Sequence, residues 1–157
     1  MYSYEWYIHI EIKQVSKRVW NGNMTAEKIE VKRSPVSDGE FQRGVFATHD
    51  IKKGEIIHVA PVIPYPNEQH MLIEHTVLAD YVYEYGINHS AVVLGYGMLF
   101  NHSYDPNAYY EISFETHTFT YIAHKDIKAG DEIFINYNGD VDIDDPLWFN
   151  EEKSEEE

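Results

Sequence analysis

The sequence predicts a mainly β domain of the α+β class that contains little helix. Apolar and polar residues alternate over short segments, among them 28–33, 109–114 and 118–123, and a period of two is the pattern of a half-buried strand. Turns rich in Gly, Pro, Asn and Asp separate these segments at short intervals. Only residues 68–85 place apolar side chains near a 3.6-residue spacing. Many short strands with frequent turns indicate a mainly β architecture.

The first half of the chain is predicted to hold four strands. Residues 2–13 form one with an apolar face, and residues 28–33 form a second. Gly44 opens a third short strand that ends at Ala47. The apolar run 56–62 predicts a buried strand that closes at the prolines of the segment VAPVIP.

The middle of the chain is less regular. Residues 68–85 predict either one helix or two short helical turns, since Thr76 and Val77 weaken a continuous helix. Gly95 and Gly97 interrupt the apolar stretch that follows. Two glycines so close together predict a close backbone approach or unusual torsion angles in place of a plain strand.

A hairpin and a repeated turn are predicted in the second half. Residues 109–114 and 118–123 form the two strands of the hairpin. The turn DIKAG at 126–130 repeats DIKKG at 50–54, and each copy precedes an apolar run. Because only two copies exist, the pattern indicates repeated turn chemistry and not a solenoid.

Composition limits the classes of partner. A chain of 157 residues fits one domain, and its formal net charge is −15. Nucleic acids and anionic membranes bind proteins through Lys and Arg, so neither is expected as a partner. The charge favours a cationic partner through long-range steering, or serves solubility alone.

No metal site is predicted. The chain has no cysteine, so thiolate ligands are excluded. His70 and His75 are five residues apart and do not share a helix face. The acidic run that starts at Asp140 has Asp145 where an EF-hand loop requires glycine.

The sequence predicts neither a membrane span nor a signal peptide. No apolar run approaches the roughly 18 residues of a membrane span, and the first residues lack the apolar core of a signal peptide. We therefore expect a soluble, intracellular protein. Its acidic end, 150–157, is expected to be disordered.

Two polar clusters about 35 residues apart suggest one site built from distant segments. Asn101 and His102 lie in a turn bounded by Asp105-Pro106-Asn107, and Tyr137 ends a later apolar run. Taken alone, each residue is more simply a turn or core residue. Their order and spacing together are more informative.

In that order, the motifs resemble the SET domain of protein-lysine methyltransferases over residues 29–138. The likeness is closest to the compact viral and bacterial forms, and it rests on RGVFA (43–47), DIKKGEII (50–57), GYGMLFNHSYDPNA (95–108) and IKAGDEIFINYNG (127–139). It implies a β-clip fold of short sheets in which the segments of Asn101 and Tyr137 cross in a knot-like arrangement. Residues 1–28 would then be an N-terminal extension, and residues 139–157 a C-terminal segment that closes the site.

The resemblance also implies how the cofactor, S-adenosylmethionine, is held. Residues 43–46 would contact it through their backbone, namely Arg43, Gly44, Val45 and Phe46. Asn101 and His102 would hold its amino-acid and adenine portions, and Trp148 and Phe149 would cover the adenine or wall the channel.

The same resemblance assigns the substrate side of the site. Tyr137 would be the catalytic tyrosine beside the transferred methyl group and would also contact the cofactor. Tyr81 and Tyr110 would line the lysine channel. Ile135 falls where a larger aromatic residue limits the number of methyl groups, so more than one methyl is expected.

The function implied is methylation of lysine in a basic protein, such as a histone or a histone-like protein. The alternative is a non-catalytic module of the same fold that binds a basic peptide, because Gln42 replaces the first glycine of the family's GxG element. Viral relatives imply a possible homodimer. The location would be the cytoplasm, or the host nucleus if the source is viral.

Overall fold

The computed structural model describes residues 28–36 and 43–147. The strand predicted for 2–13, the acidic end, and the positions of Gln42, Trp148 and Phe149 lie outside these ranges.

Three small β-sheets make up the described part of the molecule. Strands β1 and β2 form an antiparallel pair, β4-β5-β3-β8-β7 form a five-stranded antiparallel sheet, and β6 and β9 form a parallel pair. The strands are β1 Ile29–Arg33, β2 Arg43–Ala47, β3 Ile56–Pro66, β4 Val82–Glu84, β5 His89–Val93, β6 Asn101–His102, β7 Ala108–Ser113, β8 Thr118–Ala123 and β9 Phe134–Ile135. The predicted mainly β class is confirmed, as are the predicted strands of β1, β2 and the β7–β8 hairpin.

The central strand β3 is longer than predicted. It does not close at its prolines, because it changes partner along its length: its first half pairs with β8 and its second half with β5. A proline cannot donate a backbone hydrogen bond because it has no N–H, but its carbonyl can still accept one. The Pro61 carbonyl accepts a hydrogen bond from the Leu94 amide at 2.9 Å. Val59 and Ile63 are about half exposed, at 48% and 56%. The strand is therefore buried on one face only.

The region 68–85 forms two short helical turns, the second of the two predicted alternatives. The turns are 3-10 helices at Asn67–Leu72 and Val77–Tyr81, and β4 follows directly. Thr76 separates them, since its hydroxyl donates to the Ile73 carbonyl at 2.7 Å and accepts from the Leu78 amide at 3.2 Å. No residue of either turn is buried, so a single amphipathic helix is the wrong alternative here.

The two repeated turns bind each other. Ile51 and Ile127 exchange two backbone hydrogen bonds of 2.9 Å, and both side chains are buried. The aspartate of each turn accepts from one lysine side chain and one backbone amide of the other turn, Asp50 from Lys128 and Ala129, and Asp126 from Lys52 and Lys53. The repeat is thus a reciprocal clamp that joins the start of β3 to the segment before β9.

The core lies beneath the five-stranded sheet and around β9. Phe100, Phe119, Tyr121, Ile133 and Ile135 are all fully buried there. The parallel pairing of β6 with β9 places Asn101 opposite Phe134 and His102 opposite Ile135. The two predicted polar clusters are therefore neighbours, while the knot-like threading itself stays a prediction. Among the described residues, no helix is long and apolar enough to cross a membrane.

Candidate active site

The pairing of β6 with β9 joins His102 to Tyr137. The Tyr137 backbone amide donates to His102 Nδ1 at 3.2 Å, and the two ring centroids are 5.3 Å apart. Burial lowers the pKa of His102, so the ring stays neutral at neutral pH and Nδ1 remains an acceptor. The Tyr137 hydroxyl donates to the Phe100 carbonyl at 2.9 Å.

A cavity of about 350 Å³ opens beside Tyr137. Four tyrosines line it, together with two carboxylates and the apolar side chains of Met98 and Leu147. We call it the tyrosine cavity, and its polar lining comprises Tyr81, Tyr83, Tyr110, Tyr137, Asp80, Glu84 and Asn138. The structure therefore brings together the three tyrosines that were predicted to form the substrate side of the site.

Three of the tyrosines that line the tyrosine cavity, Tyr83, Tyr110 and Tyr137, have raised phenol pKa values. Burial, followed by the charge of Glu84, raises the pKa of Tyr110 to about 12. Burial raises the pKa of Tyr137 to about 12 as well, with smaller contributions from Tyr81 and Asp80. Burial also raises the pKa of Tyr83 well above its usual value. At neutral pH these side chains are neutral O–H groups and do not serve as general bases.

These phenols predict a loss of stability in alkaline solution. Tyr110 and Tyr137 ionise near pH 10 in the unfolded chain and near pH 12 in the folded one. The folded state therefore binds more protons in that window, and the free energy of unfolding falls as the pH rises. Each phenol contributes up to about 1.4 kcal/mol per pH unit. Urea unfolding between pH 10 and pH 12 measures the slope.

The variant Tyr110→Phe is the matched control for this prediction. It should show a shallower decline over the same pH window, because one of the shifted phenols is gone. An unchanged slope would mean that the Tyr110 phenol ionises equally in the folded and unfolded states.

Sequence reasoning missed Tyr83. Its hydroxyl donates to the Gly97 carbonyl at 2.8 Å, and the hydroxyl of buried Tyr121 donates to the same oxygen at 2.9 Å. A Cβ at Gly97 would lie 2.2 Å from Val93 Cγ1, which confirms the close backbone approach predicted there. The alternation in DYVYEY, with Tyr81, Tyr83 and Tyr85 at a period of two, was the signal available in the sequence.

A second missed residue is the buried Glu132. Its carboxylate accepts from the Ser34 hydroxyl at 2.9 Å and from Asn101 Nδ2 at 2.7 Å. Asn101 Nδ2 also donates to the Arg43 carbonyl at 3.0 Å. One carboxylate thus links the end of β1 to β6, while Asn101 links β6 to β2. The sequence offered no signal for this beyond one acidic residue before an apolar run.

Glu132 explains why residue 44 is glycine. A Cβ at Gly44 would lie 2.0 Å from Glu132 Oε1 and 2.9 Å from Asn101 Nδ2. The neighbouring Val45 is fully buried, and Phe46 forms a backbone bridge with Glu132. The predicted cofactor-binding segment of β2 therefore lies against the predicted cofactor-binding residue Asn101.

Asn107 holds the two halves of the site at a fixed spacing. Its side-chain oxygen accepts from the Phe134 amide at 2.8 Å, and its Nδ2 donates to the Glu132 carbonyl at 2.8 Å. The Asp105-Pro106-Asn107 turn was predicted only as a boundary of the first polar cluster. In the structure, its last residue fastens that turn to β9.

The structure does not bring Ile135 to the tyrosine cavity. Its side chain is fully buried in the core, and it is absent from the described cavity lining. Its predicted influence on the number of methyl groups stays a prediction. Trp148 and Phe149 lie outside the described residues, so their predicted contacts stay predictions too. The described residues contain no group of three metal-ligating side chains.

Sequence comparison gives two findings. Residues 42–138 match the family model described as "SET domain". A protein of Schizosaccharomyces pombe named "Histone-lysine N-methyltransferase, H3 lysine-37 specific" is 31% identical over 131 residues, which cover 81% of this chain and 85% of that protein.

Comparison with solved structures agrees. A candidate histone methyltransferase of Plasmodium falciparum superposes with a TM-score of 0.58 at 34% identity, covering 78% of this chain and 97% of that one. An active polycomb repressive complex 2 in its basal state gives a TM-score of 0.62 at 24% identity over 73% of this chain and 16% of that one. At that identity the second match shows the fold alone. The closer likeness to the viral and bacterial forms stays a prediction.

Proposed function

This chain belongs to the SET-domain family, and we propose that it transfers methyl groups from S-adenosylmethionine to lysine side chains of a histone or similarly basic protein. The observation that carries the proposal is the tyrosine cavity, which is lined by Tyr137, the residue whose backbone amide donates to His102. Its volume and lining suit a long aliphatic side chain that ends in an amine.

The described residues fit the expected cofactor. Arg43, Gly44 and Asn101 lie in contact at the junction of β2 and β6, and His102 adjoins Tyr137. Backbone polar groups of Arg43–Phe46 and the side chains of Asn101 and His102 would hold it. When bound, S-adenosylmethionine supplies an electrophilic methyl group on a positively charged sulfur.

The chain's own residues contribute positioning and exclusion of water. A lysine inside the tyrosine cavity leaves bulk solvent, and this desolvation lowers the pKa of its amine and favours the neutral nucleophile. Tyr137 fixes the Phe100 carbonyl through its hydroxyl. Such oriented oxygens can accept weak C–H···O contacts from a polarised methyl group. Alignment of this kind can supply about 7–11 kcal/mol of the barrier.

The names of the relatives and the net charge of the chain support this substrate class. The fission yeast relative is named for a lysine of histone H3. The net charge of −15 favours a basic partner by electrostatic steering. A histone substrate would place the protein inside the cell, where histones are found. The possible homodimer stays a prediction.

A transfer assay tests the proposal. We expect tritium from labelled S-adenosylmethionine to appear on lysine of purified core histones, and mass spectrometry of the product to show more than one methyl group. Labelled cell lysate with blank histones would identify another protein substrate. A folded protein that gives no calorimetric signal with the cofactor would contradict the enzyme and favour the non-catalytic alternative.

A further inference from the structure

We propose that Asp80 and Glu84 form an acidic collar at the mouth of the tyrosine cavity that captures the positively charged lysine before methyl transfer. This inference rests on the proposed function, because it assigns a substrate-capturing role within the same site. It also makes a claim about binding that can be tested without turnover.

The position of the acidic collar is set by β4 and the turn before it. Asp80 lies in the 3-10 turn Val77–Tyr81, and Glu84 is the last residue of β4. Both are exposed, while Tyr81 and Tyr83 between them are half-buried. The two carboxylates thus face solvent at the opening, and the phenols lie deeper.

No cation among the described residues neutralises either carboxylate. Within residues 28–36 and 43–147, neither Asp80 nor Glu84 forms an ion pair or a side-chain hydrogen bond. None of the described residues that line the tyrosine cavity is Lys, Arg or His. An adjoining cavity, which shares Tyr110 and Gly139 with it, does carry one cationic side chain, Lys53, beside Asp140. The two carboxylates are therefore available to a cation that enters from solvent.

The charge of the acidic collar reaches the interior of the cavity. Glu84 contributes to the raised pKa of Tyr110, and Asp80 contributes to that of Tyr137, after burial in each case. A field that disfavours a phenolate also favours an ammonium at the same place. The acidic collar should therefore strengthen binding of protonated lysine and raise the pKa of the bound amine, which opposes the deprotonation that transfer requires.

Kinetics can test both expected effects of the acidic collar, the stronger binding of the protein substrate and the raised pKa of the bound amine. Asp80→Asn and Glu84→Gln should each raise KM for the protein substrate about 2- to 5-fold, as expected for exposed charges, and the double variant should raise it further. The same variants should shift the lower limb of the pH profile of kcat toward lower pH, because the bound amine loses its proton more easily. A purely structural role would not move that limb.

Glu111→Gln is the matched control. Glu111 is exposed on β7 next to Tyr110, and its side chain points to the opposite face of the strand. Glu111→Gln changes the net charge by the same amount as each single variant of the acidic collar. Because the Glu111 side chain points away from Tyr110, this variant should leave KM and the pH profile at wild-type values. A double Asp80→Asn, Glu84→Gln variant that also keeps both values would overturn the acidic collar.

A binding measurement separates this inference from the proposed function. Calorimetry would compare an arginine-rich peptide that has one central lysine with the same peptide carrying norleucine at that position. Wild-type protein should prefer the lysine peptide, and the double variant should lose that preference. Such a result supports the acidic collar even if no methyl transfer is found, whereas equal binding of both peptides by wild-type protein overturns it even if transfer occurs.

Discussion

Replacement of Tyr137 by phenylalanine is expected to lower turnover by about 10²-fold, the cost of a small misplacement at a reacting centre. The variant loses only the hydroxyl that donates to the Phe100 carbonyl at 2.9 Å. That oxygen is then free to rotate away from the space beside the cavity. Because one hydrogen bond contributes about 1 kcal/mol, the fold should persist. Steady-state transfer kinetics and urea unfolding of the same preparation measure both effects.

Tyr85→Phe is the control for this prediction. Tyr85 is buried, and its hydroxyl makes one hydrogen bond of 2.9 Å to His117 at the tip of the β7–β8 hairpin, away from the tyrosine cavity. It should lose similar stability and keep wild-type turnover. If Tyr137→Phe also kept wild-type turnover, the catalytic role of Tyr137 would be wrong.

Strands and turns whose sequence pattern lies within one short segment were predictable from that segment alone. The β7–β8 hairpin follows from alternation on both sides of a short polar turn. The end of β3 was not predictable from its prolines, because the strand changes partner between β8 and β5. The two 3-10 turns around Thr76 were one of two open alternatives, since the apolar residues of these turns satisfied the helical spacing without being buried.

Only part of the site was predictable, and the order of the motifs along the chain predicted it better than the individual residues did. His102 and Tyr137 meet because β6 pairs with β9, a contact between residues over 30 positions apart that no local pattern specifies. The resemblance to the SET domain predicted that contact. It did not predict the roles of Tyr83 and Glu132, because these depend on which carbonyl or amide group faces each side chain after folding.

Removal of the Glu132 carboxylate is expected to give the largest loss of stability. Glu132→Ala would leave the fully buried Ser34 hydroxyl and one Asn101 donor without their acceptor. We expect the free energy of unfolding to fall by about 2–4 kcal/mol, from two lost hydrogen bonds and a new cavity. Glu132→Gln preserves shape and one acceptor, so it should cost clearly less. The urea midpoint of each variant at constant m-value measures the difference.

Gly44→Ala should be destabilising by about 1–3 kcal/mol on its own, because its Cβ would lie 2.0 Å from Glu132 Oε1. Most of that cost should vanish in the Glu132→Ala background, where the two nearest atoms, Glu132 Oε1 and Cδ, are gone and Asn101 Nδ2 remains at 2.9 Å. The double variant should therefore be more stable than the sum of the two single losses predicts. The coupling free energy between the two substitutions should be about 0.5–3 kcal/mol. Strict additivity would show that the glycine at 44 is not required by the carboxylate. In that case the remaining contact with Asn101 Nδ2 at 2.9 Å would account for the cost, and Gly44→Ala should lower the free energy of unfolding equally in both backgrounds.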